Sequence, residues 1–256
     1  MRTALDHKAA KRRVRRFFEQ PAEERRHVSL LMDRLSIAAE VYVFGGAVRD
    51  ISLLGGSSFD GDIDLVVRIV DQNIFDNILE NCNAERNKFG GYRMQIGRWK
   101  FDIWEAAQTW AYKVGVVEDE THLSLLETTF FNWDAILFSA RTGSLHHRPN
   151  YFEHLSNKYL ELNLENNPNL TGAFIRTLRT LRLSDEICTG PKLSKFLKKK
   201  LSEMTDAEVL SYEENSFAKR RLSLSFLSDI RTKSDAWSGE DHYRWLPRQQ
   251  ACLFDN

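Results

Sequence analysis

Apolar residues recur along the 256-residue chain at two different periods, and the change from one to the other marks out its elements. Lys8 to Glu19 follows a helical period, with Val14, Phe17 and Phe18 on the apolar side. Pro21 breaks that pattern and fits the first position of a second helix, with Glu23 and Glu24 in its first turn. Val28, Leu31, Leu35 and Ala38 continue it at helical spacing. Val41 to Val67 then reads as a strand, a glycine turn, a short helix, a turn-rich loop and a second strand. Gln72 to Cys82 returns to the helical period, with Phe75, Ile78 and Leu79 as its stripe. Tyr92 to Ile96 and Trp99 to Ile103 alternate apolar and polar residues around Gly97-Arg98, the pattern of a hairpin, and put Met94, Ile96, Phe101 and Ile103 in the core. The head therefore has at least four strands and their connecting helices.

Later in the chain the period is helical: Leu170 to Leu183, with Phe174, Leu178 and Leu181 as a stripe, then Glu208 to Phe217 and Lys219 to Ile230. An aromatic tail follows, with Trp237, Tyr243 and Trp245 ahead of Pro247; these rings either fold back onto a helical core or stack on bases. The pattern predicts an α+β chain. A small mixed β-sheet head with packed and N-terminal helices occupies 1–145, and an all-α neck and C-terminal region occupies 146–256. No internal repeat or low-complexity segment is present.

Composition changes this picture little: 42% apolar and 28% charged residues are ordinary for a globular protein. No run of 18 apolar residues exists, so no membrane span is expected, and the basic N-terminus lacks the apolar stretch of a secretory signal. Cys82, Cys188 and Cys252 are scattered and odd in number, which fits reduced thiols in a cytoplasmic chain and no zinc site. The seven histidines offer no metal-ligand spacing, since the adjacent His146 and His147 point apart on any regular element. Charge adds more. The net value is zero, yet residues 1–27 carry nine Lys/Arg against four Asp/Glu, residues 45–134 carry eight against fifteen, and Lys192–Lys200 adds five lysines without an acid. An acidic centre flanked by basic segments suits a polyanion held at its edges; the same lysines also suit plain solvated helix faces.

The candidate chemistry lies in that acidic centre. Asp62 and Asp64 open the second strand and, being two apart, project from one face. Two carboxylates so placed repel unless a cation lies between them, and hard divalent ions such as Mg²⁺ take this kind of oxygen ligand together with substrate phosphates. Gly45-Gly46 ends the first strand with backbone open to positive φ and to close approach by a ligand, and a helix starting near Ala47 directs its free N–H groups to the same spot. Asp102 lies within a strand between Phe101 and Ile103, so it faces away from the core, toward solvent, a cation or a ligand.

GGAVRD (Gly45–Asp50) followed by DID (Asp62–Asp64) resembles the head of the DNA polymerase β-like nucleotidyltransferase superfamily, and most resembles bacterial CCA-adding enzymes and poly(A) polymerases, which share the pattern GGxVRD, a short gap, then DxD. The match is dense over about 25 residues and looser over roughly 140 more. The resemblance implies transfer of a nucleotide from an NTP, with two Mg²⁺ ions, or Mn²⁺ in their place, held by Asp62, Asp64 and Asp102 as the catalytic carboxylates; Glu105 is the alternative third acid. It implies that Gly45 and Gly46 present N–H groups to the triphosphate, and that Arg49 either pairs with phosphate or braces the loop through Asp50. Two departures stand out. Thr128–Gly143 keeps the spacing and the Arg141-Thr142-Gly143 turn of the family's RRDFTxNA segment, but has Thr128, Thr129 and Phe130 for Arg-Arg-Asp and Asp134 for the Asn. In the helix that resembles the family's EDxxRxxR neck, Arg176 and Arg179 match the arginines while Gly172 and Ala173 take the acidic positions, so half of a base-reading pair is missing.

Three functions follow. The first is transfer of a nucleotide to an RNA 3′ end such as that of tRNA, including as a toxin or defence-system component under a regulatory protein partner. The second is nucleotidylation, as AMP transfer, of a protein or small-molecule hydroxyl. The third is a nucleotide-binding module without turnover. Arg176 and Arg179 serve an incoming base or RNA phosphates in the first, and solvate a helix face in the bland reading. The space after the neck is too short for the body and tail domains of a full CCA-adding enzyme.

Overall fold

The computed structural model describes residues 6–20, 23–87, 90–119 and 121–246. The chain divides after Glu153 into two compact units. Pro21, Pro247 and Cys252 lie outside the described residues.

The first unit is built on a seven-stranded sheet. In chain order it comprises α1 (His7–Phe18), α2 (Arg26–Ala38), β1 (Ala39–Phe44), α3 (Gly46–Leu54), β2 (Ile63–Ile69), α4 (Gln72–Asn81), β3 (Glu85–Arg86), β4 (Tyr92–Ile96), β5 (Trp99–Glu105), α5 (Trp110–Lys113), β6 (Ile136–Ser139) and β7 (Leu145–His147); α6 (Tyr151–Ser156) spans the division. Short 3₁₀ turns cover Glu23–Arg25, His122–Glu127 and Asn132–Asp134. The strand order is β3-β4-β5-β2-β1-β6-β7. The predicted helices and the hairpin are present, with one correction. Glu23 and Glu24 fall in the 3₁₀ turn ahead of α2, whose first turn begins at Arg26 and carries no acid.

Strand alternation gives the sheet two faces. On one, Ile63, Leu65, Phe101 and Ile103 meet the helices: Phe17 of α1 packs edge-on to Trp99, Phe18 stacks on Phe138, and Phe75 of α4 meets Tyr92. On the other, Tyr42, Val66 and Leu137 lie under Ala106, Leu125 and Leu126, with Phe44, Trp104 and Tyr112 packed against them. That cover leaves the start of β2 and β5 for polar residues.

The second unit is mainly helical: α7 (Leu170–Leu181), α8 (Pro191–Glu203), α9 (Asp206–Ser216) and α10 (Leu224–Ala236). It also contains a small sheet of β8 (Tyr159–Leu160), β9 (Cys188–Thr189) and β10 (Tyr243–Arg244), in the order β10-β9-β8. Two-residue strands have no period to read in a sequence. The aromatic tail folds back, as one of its two readings expected: Trp245 is fully buried and its Nε1–H donates to Thr189 Oγ1 at 2.7 Å. The last helix starts at Leu224 rather than Lys219, because the backbone just before it is used elsewhere. The N–H groups of Arg221 and Leu222 donate to the buried Glu213 carboxylate, and Ser223 caps the helix by accepting from Phe226 N–H.

Phe17 sits at the junction of α1 with the sheet, 1% exposed, in edge contact with Phe18, Phe59 and Trp99. Phe17→Ala is expected to cost about 3–5 kcal/mol, read as a lowered denaturant midpoint at unchanged slope. A second prediction concerns pH. His7 Nδ1 lies 3.1 Å from His147 Nε2, so one ring must donate and the other accept. Burial, the first cause in each case, and neighbouring cationic or imidazole groups push the pKa of His7 and of His146 down. Groups depressed in the folded state give stability that is complete above the ordinary histidine value of 6.5 and lost as pH falls through the lowered values. Unfolding midpoints between pH 7.5 and 5 are expected to fall more for wild type than for His7→Gln/His146→Gln.

Candidate active site

The acids converge because of one strand pairing. β2 and β5 run parallel with Asp64 opposite Asp102, so both side chains leave the same face on strands about 4.8 Å apart. Asp62 precedes β2 directly and is exposed, while Ile63 between the two acids is fully buried. β1 pairs antiparallel with β2, Val43 opposite Leu65, so the end of β1 and the glycine turn after it lie at the edge where β2 starts. Gly45 there has φ +66° and ψ −127°, a region that a Cβ makes costly. Its N–H donates to Ile136 O at 2.9 Å, and its carbonyl accepts from Arg49 N–H at 3.0 Å, which starts α3 at Gly46. At Gly46 a Cβ would meet only the Arg49 guanidinium, at 3.7 Å, so the conformational demand rests on Gly45. Acid pair and helix start therefore share one sheet edge.

Arg49 braces the loop through Asp50, which is one of its two expected roles. Its Nε bonds Asp50 Oδ1 at 2.7 Å, and its other arm bonds the buried Asp134. Burial alone would lower the Arg49 pKa; the Asp134 and Asp50 carboxylates outweigh it and push it up. The same 132–134 turn is held from behind by Tyr151, whose hydroxyl donates to Trp133 O at 2.8 Å. Where the resembled family has its Arg-Arg-Asp, Thr128 Oγ1 donates to Leu125 O, Thr129 Oγ1 donates to Phe131 O, and Phe130 is buried. This segment faces inward.

Asp102 has a partner that sequence reasoning missed. Arg93 stands opposite it on β4 and donates to both its oxygens, Nε to Oδ1 at 2.8 Å and the terminal nitrogen to Oδ2 at 3.0 Å. Hydrogen bonding and charge from Asp102 raise the Arg93 pKa, and Asp62 and Asp64 add to the effect, so this cation feels all three acids. The signal was present in the hairpin: strands centred on Gly97-Arg98 pair position 93 with 102. A concavity lined by Asp62, Asn83, Arg93 and Lys100 opens beside them. Glu105, the alternative third acid, pairs with Val67 at the far end of β5 and alternates to the other face, away from Asp64.

The donor chemistry suits a hard divalent cation, since three carboxylates share one edge. Among the described residues, however, no three His, Cys, Asp or Glu side chains are arranged to hold a metal ion as they stand. The residues fit in kind, and Arg93 already engages both Asp102 oxygens, so a cation at this edge competes with it.

In the second unit, Arg176 is exposed on α7. Arg179 is built into the core of that unit: it pairs with the buried Glu213, donates to Lys219 O at 2.7 Å and lies 4.1 Å over the Phe217 ring. Gly172 is held close by the helix cap. Asn169 Oδ1 accepts from Gly172 N–H at 2.8 Å, and a Cβ at this position would come within 2.4 Å of Asn169 Nδ2. An acid here would require the Asn169 side chain to shift.

No protein-family model matches the chain, and no curated protein matches it. Solved structures do. A Thermotoga maritima CCA-adding enzyme complexed with tRNA matches at a TM-score of 0.55 and 17% identity, over 81% of this chain and 50% of that one. A tRNA nucleotidyltransferase complexed with a primer tRNA and an incoming ATP analogue gives 0.54 and 18%, over 81% and 60%. A CCA-adding enzyme in complex with CTP gives 0.57 and 16%, over 92% and 55%. The chain spans about half to three-fifths of the length of these proteins, and at this identity the likeness is one of fold: an α+β nucleotidyltransferase fold.

The Arg93–Asp102 pair yields a prediction. The Arg93 side chain is 65% exposed, so the pair is worth at most about 1 kcal/mol, or about fivefold in an equilibrium. Arg93→Ala is expected to tighten Mn²⁺ binding about two- to fivefold in a titration followed by electron paramagnetic resonance. Unchanged or weaker binding would mean that the guanidinium does not compete for this edge.

Proposed function

We propose that this chain is a metal-dependent nucleotidyltransferase that moves a nucleotide from an NTP to an acceptor hydroxyl, foremost the 3′ end of an RNA such as tRNA. The observation that carries the reading is the register of Asp64 with Asp102 at the edge where the Gly45 turn starts α3. Carboxylates and anion-facing backbone N–H groups together suit a triphosphate with its counter-cations.

Asp62, Asp64 and Asp102 would hold Mg²⁺, two ions in the reading carried from the resemblance, or Mn²⁺. Bound there, the ions supply charge neutralisation at the leaving pyrophosphate and a lowered pKa at the acceptor hydroxyl. The chain's own residues do the rest. Gly46 and the first turn of α3 receive the triphosphate oxygens; Gly45, whose N–H is taken by Ile136 O, shapes the turn instead of donating, against the expectation from the resemblance. Arg49, held between Asp50 and Asp134, keeps α3 at the angle that directs those donors. The acceptor oxygen forms its bond to the α-phosphorus, the bond from that phosphorus to the bridging oxygen of the β-phosphate breaks to release pyrophosphate, and the hydroxyl proton passes to solvent. In the second unit the exposed Arg176 is offered to phosphate. The related structures were solved with tRNA, CTP and an ATP analogue, which makes these the first substrates to try.

The departures at Gly172-Ala173 and Thr128–Asp134 argue for a specialised activity over routine end synthesis. A toxin or defence component acting on tRNA in the cytoplasm, restrained by a protein partner, fits that description. The missing base-reading acid is also what favours the second reading, nucleotidylation of a protein or small-molecule hydroxyl.

One assay separates them. The protein is incubated with Mg²⁺ or Mn²⁺, each α-³²P-labelled NTP and total tRNA, beside Asp62→Asn/Asp64→Asn. Label in tRNA is expected, falling at least about 100-fold in the variant, the equivalent of several kcal/mol of lost charge stabilisation. Label in protein would move the assignment to the second reading. Nucleotide binding without transfer to any acceptor would leave a binding module.

A further inference from the structure

α1 carries six cations, Lys8, Lys11, Arg12, Arg13, Arg15 and Arg16, and no acid within its 12 residues. Its apolar side, Ala10, Val14, Phe17 and Phe18, is buried in the first unit, which turns Lys8, Arg12, Arg15 and Arg16 outward. Arg15 is paired with Glu19 at 2.6 Å. Beside this face lies a concavity lined by Arg13, Arg16 and Arg25 together with Gly55, Gly56 and Ser57, and none of the residues lining it is acidic. The loop closes tightly here: a Cβ on Gly56 would lie 2.5 Å from the Phe17 ring. Arg13 donates to the carbonyls of Ser52 and Leu53, and Arg25 lies 4.9 Å over Phe17, so these guanidinium groups are held on a firm frame. Like charges gathered in one hollow raise its potential and suit an anion with several acceptor oxygens.

α1 covers the sheet face opposite the one that Asp64 and Asp102 leave, at the end of the strands where they stand. The 55–57 loop leads to Phe59, which meets Phe17 edge-on and stacks on Trp99. Asp62 follows Phe59 by three residues and Asp102 follows Trp99 by three, so α1 is fastened to the roots of both acidic strands. We propose that the outer face of α1 and the Arg13–Arg16–Arg25 hollow form a backbone-binding surface for the RNA whose end is presented to the acid edge. An acidic membrane is a poorer fit, because the apolar side that would enter a bilayer is already buried in the protein. A helix of 12 residues, about 18 Å long, offers room for several consecutive phosphates. The proposal rests on the transferase reading for the identity of the nucleic acid, and on charge and packing for the surface itself.

The test is equilibrium binding of fluorescent tRNA to the full chain, without NTP, over a range of salt concentrations. The variant is Lys8→Gln/Arg12→Gln/Arg16→Gln. About 0.7–0.9 is lost from the log–log salt slope per phosphate contact removed, so the variant's slope is expected to be shallower by about 2–3, with affinity at least about tenfold weaker at low salt. Arg12→Lys/Arg16→Lys should keep the slope, since it keeps the charge. Circular dichroism melts check that the triple variant folds. If it does not, Arg12→Gln alone is read, with an expected slope change of about 1. Wild-type affinity and slope in the folded variant would overturn the proposal, and so would equal competition by an acidic polypeptide such as polyglutamate. The two readings fail separately: label transfer with unchanged binding in the variant sinks this surface alone, whereas a changed slope without transfer by wild type sinks the catalytic reading alone.

Discussion

The head is organised around an electrostatic problem. Within the seven-stranded sheet described, β2 and β5 form the one parallel pair, and its register sets Asp64 beside Asp102. Two like charges about 5 Å apart repel by about 3 kcal/mol at an effective dielectric of about 20, before water screens them. A sheet that accepts this arrangement needs a cation at that edge. Arg93, on the next strand and opposite Asp102, supplies one without any ligand. The arrangement lets the folded chain carry an acidic edge with its own counter-charge.

Much of this was legible in the order of residues. Asp62 and Asp64 were readable because a strand alternates its faces, and the hairpin at Gly97-Arg98 because its two arms keep a period of two. Gly45 was readable because a strand ending on Gly-Gly asks for backbone freedom, which its positive φ uses. β6 was not predicted as a strand: Ile136–Ser139 is buried at every position and has no alternation to detect. The partners of charged residues were also hidden. Asp134 reaches Arg49 across 85 positions of sequence, a pairing that only the folded sheet can bring about. Arg93 was overlooked for the opposite reason, since it looked like the ordinary polar position of a half-exposed strand.

The two neck arginines show how a shared pattern can part company in three dimensions. Arg176 and Arg179 stand three apart on one helix, yet one is exposed and the other is enclosed by Glu213, Lys219 and Phe217. Enclosing an arginine is sound only where its charge is met, and the fully buried Glu213 meets it while also binding two backbone N–H groups. The pair therefore ties α7 to α9, Glu213 ties α9 to the segment before α10, and the match of Arg179 to the neck motif does not by itself indicate contact with a base. At Gly172 a side chain would press on the Asn169 and Tyr212 side chains, so an acid there requires those side chains to shift.

α3 is secured at both ends. Arg49 holds its first turn through Asp134, and Arg13 donates to the carbonyls of Ser52 and Leu53 at its last. Fixing one residue's backbone costs about 1–2 kcal/mol of conformational entropy, a cost usually met when a ligand arrives and a loop settles around it. Here that cost has been met during folding. The free N–H groups of the first turn of α3 are fixed before any ligand arrives, so an anion bound there would spend little of its binding free energy on ordering the chain.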